Sequence, residues 1–355
     1  MMTPKDRVLT TFARQQPDRV PLNYVANPGV DARLKQHFGL QPSDDEGLCQ
    51  ALKIDFRVTY PPYIGPQRHA SLPGVSIDEW GIRRRWIEHS TGGYWDYCDW
   101  PLTAATLEEI EQWPLPSPDD YDYNVVATFA QQHARYGVMF GGPGCGDIIN
   151  SISMLRSMEQ VLIDLAVAEP AGLRLIDRKL AVQLEILRRG LEAGHGAIDV
   201  LWLGEDLGTQ RGPTISLELF REQLRPRLQR FVDLGKEWKI PVLMHSCGSS
   251  SWAFSDFAEM GISAVDTLQP EAKDMAPAYL KQRYGDRLAF HGMISTAGVV
   301  ATGTVAEVEQ NCREVLATMM PGGGYAFAPT HALQDNSPTA NVLAMYRTAQ
   351  QHGLY

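Results

Sequence analysis

A histidine and a cysteine two residues apart, His245 and Cys247, carry the clearest chemical potential in this 355-residue sequence. Residues two apart on an extended backbone share a face, so the pair presents an imidazole and a thiol side by side. Such a pair can hold one metal ion, and nitrogen and sulfur donors together favour Zn²⁺. On spacing alone, a buried small cysteine and a hydrogen-bonded strand-end histidine remain the alternative.

Three other polar residues would complete a zinc site if their strands lie beside the first. His331 would supply a third ligand, and Glu205 or Asp206 an oxygen ligand at an exchangeable position. The alternative for Glu205 and Asp206 is helix capping or a salt bridge. We predict His245, Cys247 and His331 as metal ligands and Glu205 and Asp206 as candidate catalytic residues.

These residues follow short apolar runs that alternate with longer amphipathic stretches. Such alternation indicates βα units and a parallel sheet. The predicted strands are residues 138–140, 197–203, 240–244, 262–268, 288–291 and 325–328. Residues 20–25 and one more N-terminal segment would bring the number of strands to the eight of a closed barrel.

We therefore predict an α/β fold of the (β/α)8 TIM-barrel type, with a doubly wound open sheet as the alternative. In a barrel the active site lies at the carboxyl ends of the strands, where the polar residues above stand. Residues 55–113 interrupt the alternation with Pro, Trp, Tyr and Arg, and 75–88 and 93–100 are predicted to pair as antiparallel strands. We expect residues 1–355 to form a single domain in which 55–113 are a β-rich, lid-like insertion capping the barrel mouth.

Composition and charge exclude several classes of function. Hydrophobic residues make up 44% of the chain and charged residues 21%, which is typical of a globular protein. The net charge of -10 argues against nucleic-acid binding. Because there is no apolar signal core and no run of about 18 apolar residues, we expect a cytoplasmic protein that does not span a membrane. The five widely spaced cysteines argue against a disulfide framework.

A set of motifs in a fixed order resembles the uroporphyrinogen decarboxylase superfamily. The motifs are DRVP at 18–21, GEDLG at 204–208, HSCG at 245–248, LQP at 268–270, FHG at 290–292, GGGYAFAPTH at 322–331 and NVLAMY at 341–346. True decarboxylases of the tetrapyrrole pathway carry an Arg-rich segment soon after Arg-Val-Pro that holds the substrate carboxylates. This chain has NYVANPG at 23–29 instead, which argues against porphyrinogen decarboxylation.

The resemblance is closer to the cobamide-dependent methyltransferases of that superfamily. They hold zinc with a His-x-Cys pair and a later Cys; His245 and Cys247 match the pair, and His331 stands where the later Cys would be. The resemblance implies a zinc-dependent methyltransferase that moves a methyl group between a small substrate and a corrinoid protein or other methyl carrier. The sequence has no D-x-H-x-x-G corrinoid-binding pattern, so a cobamide would have to arrive on a partner protein.

Three further residues, Tyr24, His291 and Gln334, are predicted to contact or orient the substrate, with structural roles as the alternative. Two other functions stay open: a metal-independent decarboxylase of a small carboxylated substrate, and a non-catalytic barrel that senses a small ligand. The decarboxylase would remain active after chelation. The oligomeric state, a homodimer included, is not determined by the sequence.

Overall fold

Two sheets organise the chain, one of seven parallel strands and one of three antiparallel strands. The computed structural model describes residues 2–89 and 92–355. In chain order the strands are β1 Phe56–Thr59, β2 Ser76–Ile77, β3 Arg83–His89, β4 Gly92–Tyr97, β5 Gly137–Gly141, β6 Val200–Gly204, β7 Val242–His245, β8 Ala264–Leu268, β9 Ala289–Ile294 and β10 Tyr325–Pro329. The parallel sheet has the order β1-β5-β6-β7-β8-β9-β10, and β2, β3 and β4 form the antiparallel sheet.

Helices follow most strands of the parallel sheet. They are α1 Pro4–Phe12, α2 Pro28–Phe38, α3 Asp45–Ala51, α4 Leu107–Gln112, α5 Tyr123–Gln132, α6 Ile149–Arg156, α7 Met158–Val167, α8 Pro170–Ala193, α9 Leu217–Leu219, α10 Arg225–Glu237, α11 Phe254–Met260, α12 Pro277–Tyr284, α13 Val299–Thr302, α14 Val305–Met319 and α15 Thr339–His352. A π-helical turn, Phe220–Leu224, joins α9 to α10, and 3-10 turns occupy Pro118–Asp120 and Ser251–Ala253. Helix α8 packs on β5, α10 on β6 and α14 on β9. The predicted α/β class is confirmed.

The parallel sheet curls around a core of its own. Strands β5 to β10 are buried along their whole length, as expected of parallel strands that are covered on both faces. One inner cluster takes a side chain from each of the seven parallel strands and two from α1. Its members are Val8, Phe12, Phe56, Met139, Val200, Trp202, Leu243, Ala264, Ala289 and Ala326. Helix α1 therefore fills one end of the space that the strands enclose.

The N-terminal segment around Leu22 lies between the two edge strands of this sheet. Leu22 forms a parallel bridge with Phe327 of β10, whose N–H donates to the Pro21 carbonyl at 2.9 Å. On its other side, the Leu22 carbonyl accepts a 2.8 Å hydrogen bond from the N–H of Asp55, immediately before β1. The segment predicted as a strand at 20–25 thus occupies a strand position, although it pairs only through isolated bridges.

The second N-terminal strand of the parallel sheet is β1, which pairs with β5 from Phe56 to Thr59. It lies inside the stretch that the sequence assigned to the insertion, so the antiparallel part begins after β1 rather than at residue 55. Within that part, β3 and β4 pair over Arg84 to His89 and Gly92 to Tyr97, close to the two predicted segments. No helix within the described residues combines the length and the apolar composition that crossing a bilayer requires.

Candidate metal and substrate site

A cavity of about 820 Å³ lies at the carboxyl ends of the parallel strands. Its wall combines the loops after β5, β6, β7 and β10 with residues of α6 and of the antiparallel sheet. The lining residues are Asp96, Tyr97, Trp100, Pro143, Gly144, Asp147, Asn150, Ser153, Met154, Met158, Asp206, His245, Cys247 and His331. The predicted position of the site, at the strand ends, therefore coincides with a cavity large enough for a small substrate.

Three side chains on the floor of this cavity form a candidate metal site. The donor atoms of Asp206, His245 and Cys247 all lie within 4.8 Å of one another. His245 Nε2 is 3.4 Å from Cys247 Sγ and 3.7 Å from Asp206 Oδ1. An imidazole, a thiol and a carboxylate that face an open cavity fit Zn²⁺ with one exchangeable position. The period-two spacing brings His245 and Cys247 together, as the sequence predicted.

The turn after β7 fixes the direction of Cys247. Its backbone N–H donates a 2.7 Å hydrogen bond to Asp206 Oδ1, which ties the two candidate ligands to each other. The next residue, Gly248, has a φ of 68°, and a Cβ there would lie 2.2 Å from the Gly208 carbonyl oxygen. Only glycine fits this position, because the two loops touch backbone to backbone.

A buried relay of hydrogen bonds sets the orientation of the His245 ring. Its Nδ1 lies 3.0 Å from Asp266 Oδ2 and 2.6 Å from Thr267 Oγ1. The other Asp266 oxygen accepts from Nδ1 of His291 at 2.6 Å, and Asn23 Nδ2 donates to His291 Nε2 at 2.9 Å. With its Nδ1–H held by Asp266, the ring of His245 presents Nε2 to the cavity. A carboxylate behind a histidine is the usual support of a metal ligand.

Charge in this relay shifts the pKa values of its members. Burial alone would lower the pKa of His245, but the hydrogen bonds that its ring makes with Asp266 and Cys247 outweigh burial and raise this pKa well above normal. Burial would raise the pKa of Asp266, but His291 and His245 lower it below its ordinary range. For Cys247, burial dominates and raises the pKa of the thiol. A metal would therefore compete with protons for this site, as is general for thiol and imidazole ligands.

The two adjacent carboxylates, Glu205 and Asp206, point in different directions. Glu205 is 1% exposed and accepts hydrogen bonds from the backbone N–H groups of Ile148 at 2.7 Å and Ile149 at 3.2 Å, at the start of α6. Burial, and then the nearby charge of Asp147, raise the pKa of Glu205 well above normal. Asp206 faces the cavity instead. The structure thus brings Asp206 and not Glu205 to the candidate ligands.

His331, the predicted third ligand, lies in the wall of the same cavity. Its ring is not part of the group whose donor atoms all lie within 4.8 Å of one another, so its role as a ligand stays a prediction. Partial burial, and then the neighbouring His245, lower the pKa of His331. The ring is therefore disposed to be neutral in the cavity wall, which is the form that binds metals.

The residues predicted to contact substrate, Tyr24, His291 and Gln334, are absent from the described wall of the cavity. Tyr24 donates its O–H to Asp31 Oδ1 at 2.7 Å. Gln334 donates to the Ala332 carbonyl at 2.9 Å and so turns back on its own loop. His291 is buried and acts on His245 through the relay. Their positions near the strand ends were predicted, but their side-chain directions depend on neighbours that the sequence does not specify.

Sequence reasoning missed two acids and a lysine. Asp266 stands inside an apolar strand, and an acid in such a run is a signal that could have found it. Asp147, 5% exposed, follows the glycine-rich loop after β5; burial first, and then Asp206, raise its pKa to about 7. Behind it, burial lowers the pKa of Lys179 to about 8, although Asp147 opposes that shift. Lys179 donates to the Ser151 carbonyl at 2.9 Å and does not reach the cavity wall.

Fold and site together define an α/β protein with a candidate metal site at the carboxyl ends of its parallel strands. The family model described as uroporphyrinogen decarboxylase (URO-D) matches residues 151–352. The chain belongs to this family.

Curated relatives and a solved structure extend the similarity over nearly the whole chain. Uroporphyrinogen decarboxylase from Sodalis glossinidius (strain morsitans) is 24% identical, covering 98% of both chains. The enzyme of that name from Shewanella amazonensis is 24% identical over 93% of this chain and 92% of its own length. A methyltransferase from Methanosarcina mazei superposes with a TM-score of 0.67 and 17% identity, covering 99% of both chains. That structural likeness shows a shared fold.

Proposed function

We propose that the protein is a zinc-dependent methyltransferase that moves a methyl group between a small substrate and a corrinoid protein or another methyl carrier. The observation that carries the proposal is the group of Asp206, His245 and Cys247, whose donor atoms face the cavity within 4.8 Å of one another. The similarity to a methyltransferase fold agrees with it. No corrinoid-binding pattern occurs in the chain, so a cobamide would be carried by a partner protein.

The chain's own residues account for how zinc would be held. His245 and Cys247 would bind it, Asp206 would bind at a more labile position, and His331, which lines the same cavity, would be a further ligand. One thiolate and one carboxylate balance the charge of Zn²⁺. A bound zinc ion lowers the pKa of a substrate heteroatom and so makes it a nucleophile or leaving group at neutral pH. Asn150 donates to Asp206 Oδ2 at 2.7 Å and keeps that carboxylate turned toward the cavity.

The charge of the cavity wall disfavours decarboxylation of a polycarboxylate. Among the described lining residues are Asp96, Asp147 and Asp206, and no lysine or arginine. Substrate carboxylates are normally held by guanidinium or ammonium groups, which form charge-assisted hydrogen bonds with them. The metal-independent decarboxylase therefore has less support from the site than methyl transfer has.

We also propose that the parallel sheet closes as a (β/α)8 barrel and that the antiparallel sheet caps its mouth. The hydrogen bonds of Pro21 and Asn23 to Phe327 of β10, and of Leu22 to Asp55 next to β1, support closure, because they place an eighth segment between the two edge strands. The contribution of Asp96, Tyr97 and Trp100 to the cavity wall supports the cap. The whole chain would then be one domain, with residues after β1 forming the lid.

The zinc content of purified protein tests the proposal. Protein prepared without an affinity tag or chelator is expected to hold about one zinc ion per chain. We expect a lower zinc content in three variants: His245→Ala, Cys247→Ser and Asp206→Ala. The zinc content of His331→Ala is also expected to fall if the His331 ring is the fourth ligand. Cys98→Ser is the matched control, because Cys98 lies outside the described cavity wall.

Two outcomes would contradict the proposal. Wild-type protein without zinc, even after reconstitution, would exclude a zinc enzyme and favour the decarboxylase. Zinc that survives the His245 and Cys247 substitutions would show that the ion lies elsewhere. Methyl transfer itself is then measured with methylated donors and a corrinoid protein, before and after chelation; turnover that persists in fully zinc-free protein would also contradict it.

A further inference from the structure

The wall of the cavity carries negative charge that the candidate metal site does not use. If Asp206 and Cys247 neutralise a zinc ion, Asp96 and Asp147 remain as additional acids of the same cavity. Within residues 2–89 and 92–355, no lysine or arginine nitrogen lies within 4.0 Å of Asp96, because the nearby Arg85 pairs with Asp99. Asp147 differs, since the buried Lys179 acts on it electrostatically. Acids that line a low-dielectric cleft without counter-ions concentrate a negative potential in it. Such a cleft attracts cations and repels carboxylate substrates.

The same wall offers surfaces suited to methyl groups on a cation. Trp100 is 49% exposed and lines the cavity next to β4, and Met154 of α6 and Met158 of α7 line the same cavity. The face of a tryptophan attracts ammonium groups, and methionine thioethers pack softly against methyl groups. Arg84 already lies over the Tyr97 ring at 5.2 Å, which leaves Trp100 as the aromatic face for a ligand.

We propose that the cavity recognises a small cation bearing N-methyl groups, of the quaternary or tertiary ammonium class, as the methyl donor. Asp96 would balance its charge, and Trp100 and the two methionines would contact its methyl groups. This inference rests on the proposed methyl transfer and adds the substrate class to it.

The chemistry of such a donor suits the site. When a quaternary ammonium ion loses a methyl group, one C–N bond breaks and its electron pair stays on nitrogen, so a neutral tertiary amine leaves. The methyl carbon forms a bond to the sulfur of a thiolate acceptor, which becomes a neutral thioether. Positive and negative charge are lost together, so no proton, oxidant or reductant is needed. In such a cavity Asp96 would hold the ammonium donor, and zinc would hold the thiolate acceptor at the candidate metal site, so each reactant would have its own binding position.

Choline and its uncharged carbon isostere, 3,3-dimethylbutan-1-ol, provide a matched pair of probes. Their shapes are nearly the same, so the difference between their affinities reports the recognition of charge. Binding of each to the zinc-loaded full-length chain is measured by titration calorimetry. Choline is expected to bind at least about tenfold more tightly than the alcohol, the size of one cation–aromatic contact with a nearby charge. Equal binding of the two, or tighter binding of glutarate than of choline, would overturn the proposal.

Substitutions in the cap locate the binding surface. Asp96→Asn and Trp100→Leu are each expected to weaken choline binding about fivefold without changing that of the alcohol by the same factor. Asp99→Asn and Trp95→Leu are the controls: each removes the same group from a neighbouring position outside the described wall, and Asp99 pairs with Arg85. Choline binding that falls equally in the controls, or in none of the variants, would contradict the assigned surface.

Zinc content, measured on the same preparations, separates this inference from the proposed function. Asp96→Asn and Trp100→Leu are expected to keep their zinc. Zinc-loaded protein that does not distinguish choline from the alcohol would reject the donor class and leave the metal site standing. Selective choline binding by protein that cannot hold zinc would reject the zinc enzyme and support the cation pocket.

Discussion

At the scale of single residues, the support of His245 is as informative as the candidate ligands themselves. Asp266 contacts the Nδ1 atoms of both His245 and His291, and Asn23 determines which nitrogen of His291 carries the proton. The Asn23 amide is itself oriented, because its oxygen accepts the Tyr24 N–H at 2.8 Å. The relay therefore fixes the direction of His245 Nε2 before any ion binds, and zinc would displace the proton that the raised pKa of His245 keeps on the ring.

Asp266→Asn is expected to lower zinc affinity by about tenfold to a hundredfold, because the ring of His245 loses the carboxylate that orients it. Zinc dissociation constants are measured by competition with a chromophoric chelator. Asp199→Asn is the matched control, since Asp199 is also buried but lies just before β6, at the opposite end of the strands. An Asp266 variant with wild-type zinc affinity would show that the relay is structural only.

The buried carboxyl of Asp147 predicts a pH-dependent contribution to stability. Its pKa rises from an ordinary 3.8 to about 7, so the folded state holds a proton that the unfolded state releases. Its contribution is therefore favourable at low pH and is lost as pH rises from about 4 through about 7. Asp147→Asn should stabilise the protein by about 1–3 kcal/mol more at pH 8 than at pH 5.

Denaturant unfolding at the two pH values measures this difference. Asp96→Asn, which removes a charge from the exposed side of the same cavity, controls for a general effect of net charge. A gain in stability from Asp147→Asn that is equal at pH 5 and pH 8 would contradict the assigned shift.

At the scale of elements, the neighbouring acids Glu205 and Asp206 differ in whether they contact the first turn of α6. Glu205 accepts the N–H groups of Ile148 and Ile149, which have no partner inside the helix. Helix α6 in turn carries Asn150 and Met154 into the cavity wall. Glu205 is thus a positioning residue, and Asp206 is the carboxylate that faces the candidate metal.

Glu205→Ala is expected to destabilise the protein by about 2–4 kcal/mol, since it leaves a buried helix start without acceptors, and to keep the zinc content. Asp206→Ala is expected to do the reverse: zinc affinity falls, and the free energy of unfolding of the metal-free protein changes by about 1 kcal/mol or less. Both quantities are measured on both variants. If the Glu205→Ala variant lost its zinc and the Asp206→Ala variant retained it, the two roles would be reversed.

The strands that were predicted and the one that was missed differ in how they are buried. Strands β5 to β10 are covered on both faces, so each is a mostly apolar run, although Asp266 lies within β8 and His291 within β9. Strand β1 contains Arg57, whose guanidinium is buried against Glu46 with a 2.6 Å Nε to Oε2 distance. A charged residue interrupts the apolar pattern of such a short strand, so β1 was not recognised as a strand and was assigned to the predicted insertion at 55–113. The partner that makes this burial possible is supplied by α3, which sequence periodicity cannot show.

For the site, the sequence predicted the side-chain positions that follow from the geometry of a single strand. It missed the contacts that depend on how two elements pack against each other. The shared face of His245 and Cys247 follows from the period of a single strand. Asp266 stands opposite His245 only because β7 and β8 pair in that register. The different directions of Glu205 and Asp206 likewise depend on where α6 begins. Contacts of this kind are set by tertiary packing and not by local spacing.

At the scale of the whole molecule, the family defines the fold and leaves the chemistry to the cavity. The structure shows a role for the DRVP motif at 18–21 that lies outside the described cavity wall. Arg19 and Arg7 both bind the carboxylate of Asp55, with closest distances of 2.7 and 2.6 Å. The same carboxylate accepts the Leu22 N–H at 2.8 Å. The N-terminal segment is thereby attached to the start of β1, one of the two edge strands of the parallel sheet.

Asp55→Ala is therefore expected to lower the free energy of unfolding by about 3–5 kcal/mol, because it leaves the Leu22 N–H without its acceptor and removes one of the two carboxylates, Asp55 and Asp18, that hold the buried guanidinium of Arg7. Asp45→Ala is the control: Asp45 pairs with Lys35 at the surface, and such pairs contribute about 1 kcal/mol or less. Urea unfolding of the two variants gives the comparison, and zinc content shows whether the strand ends are affected. Equal losses of stability in both variants would mean that Asp55 does not hold the ring together.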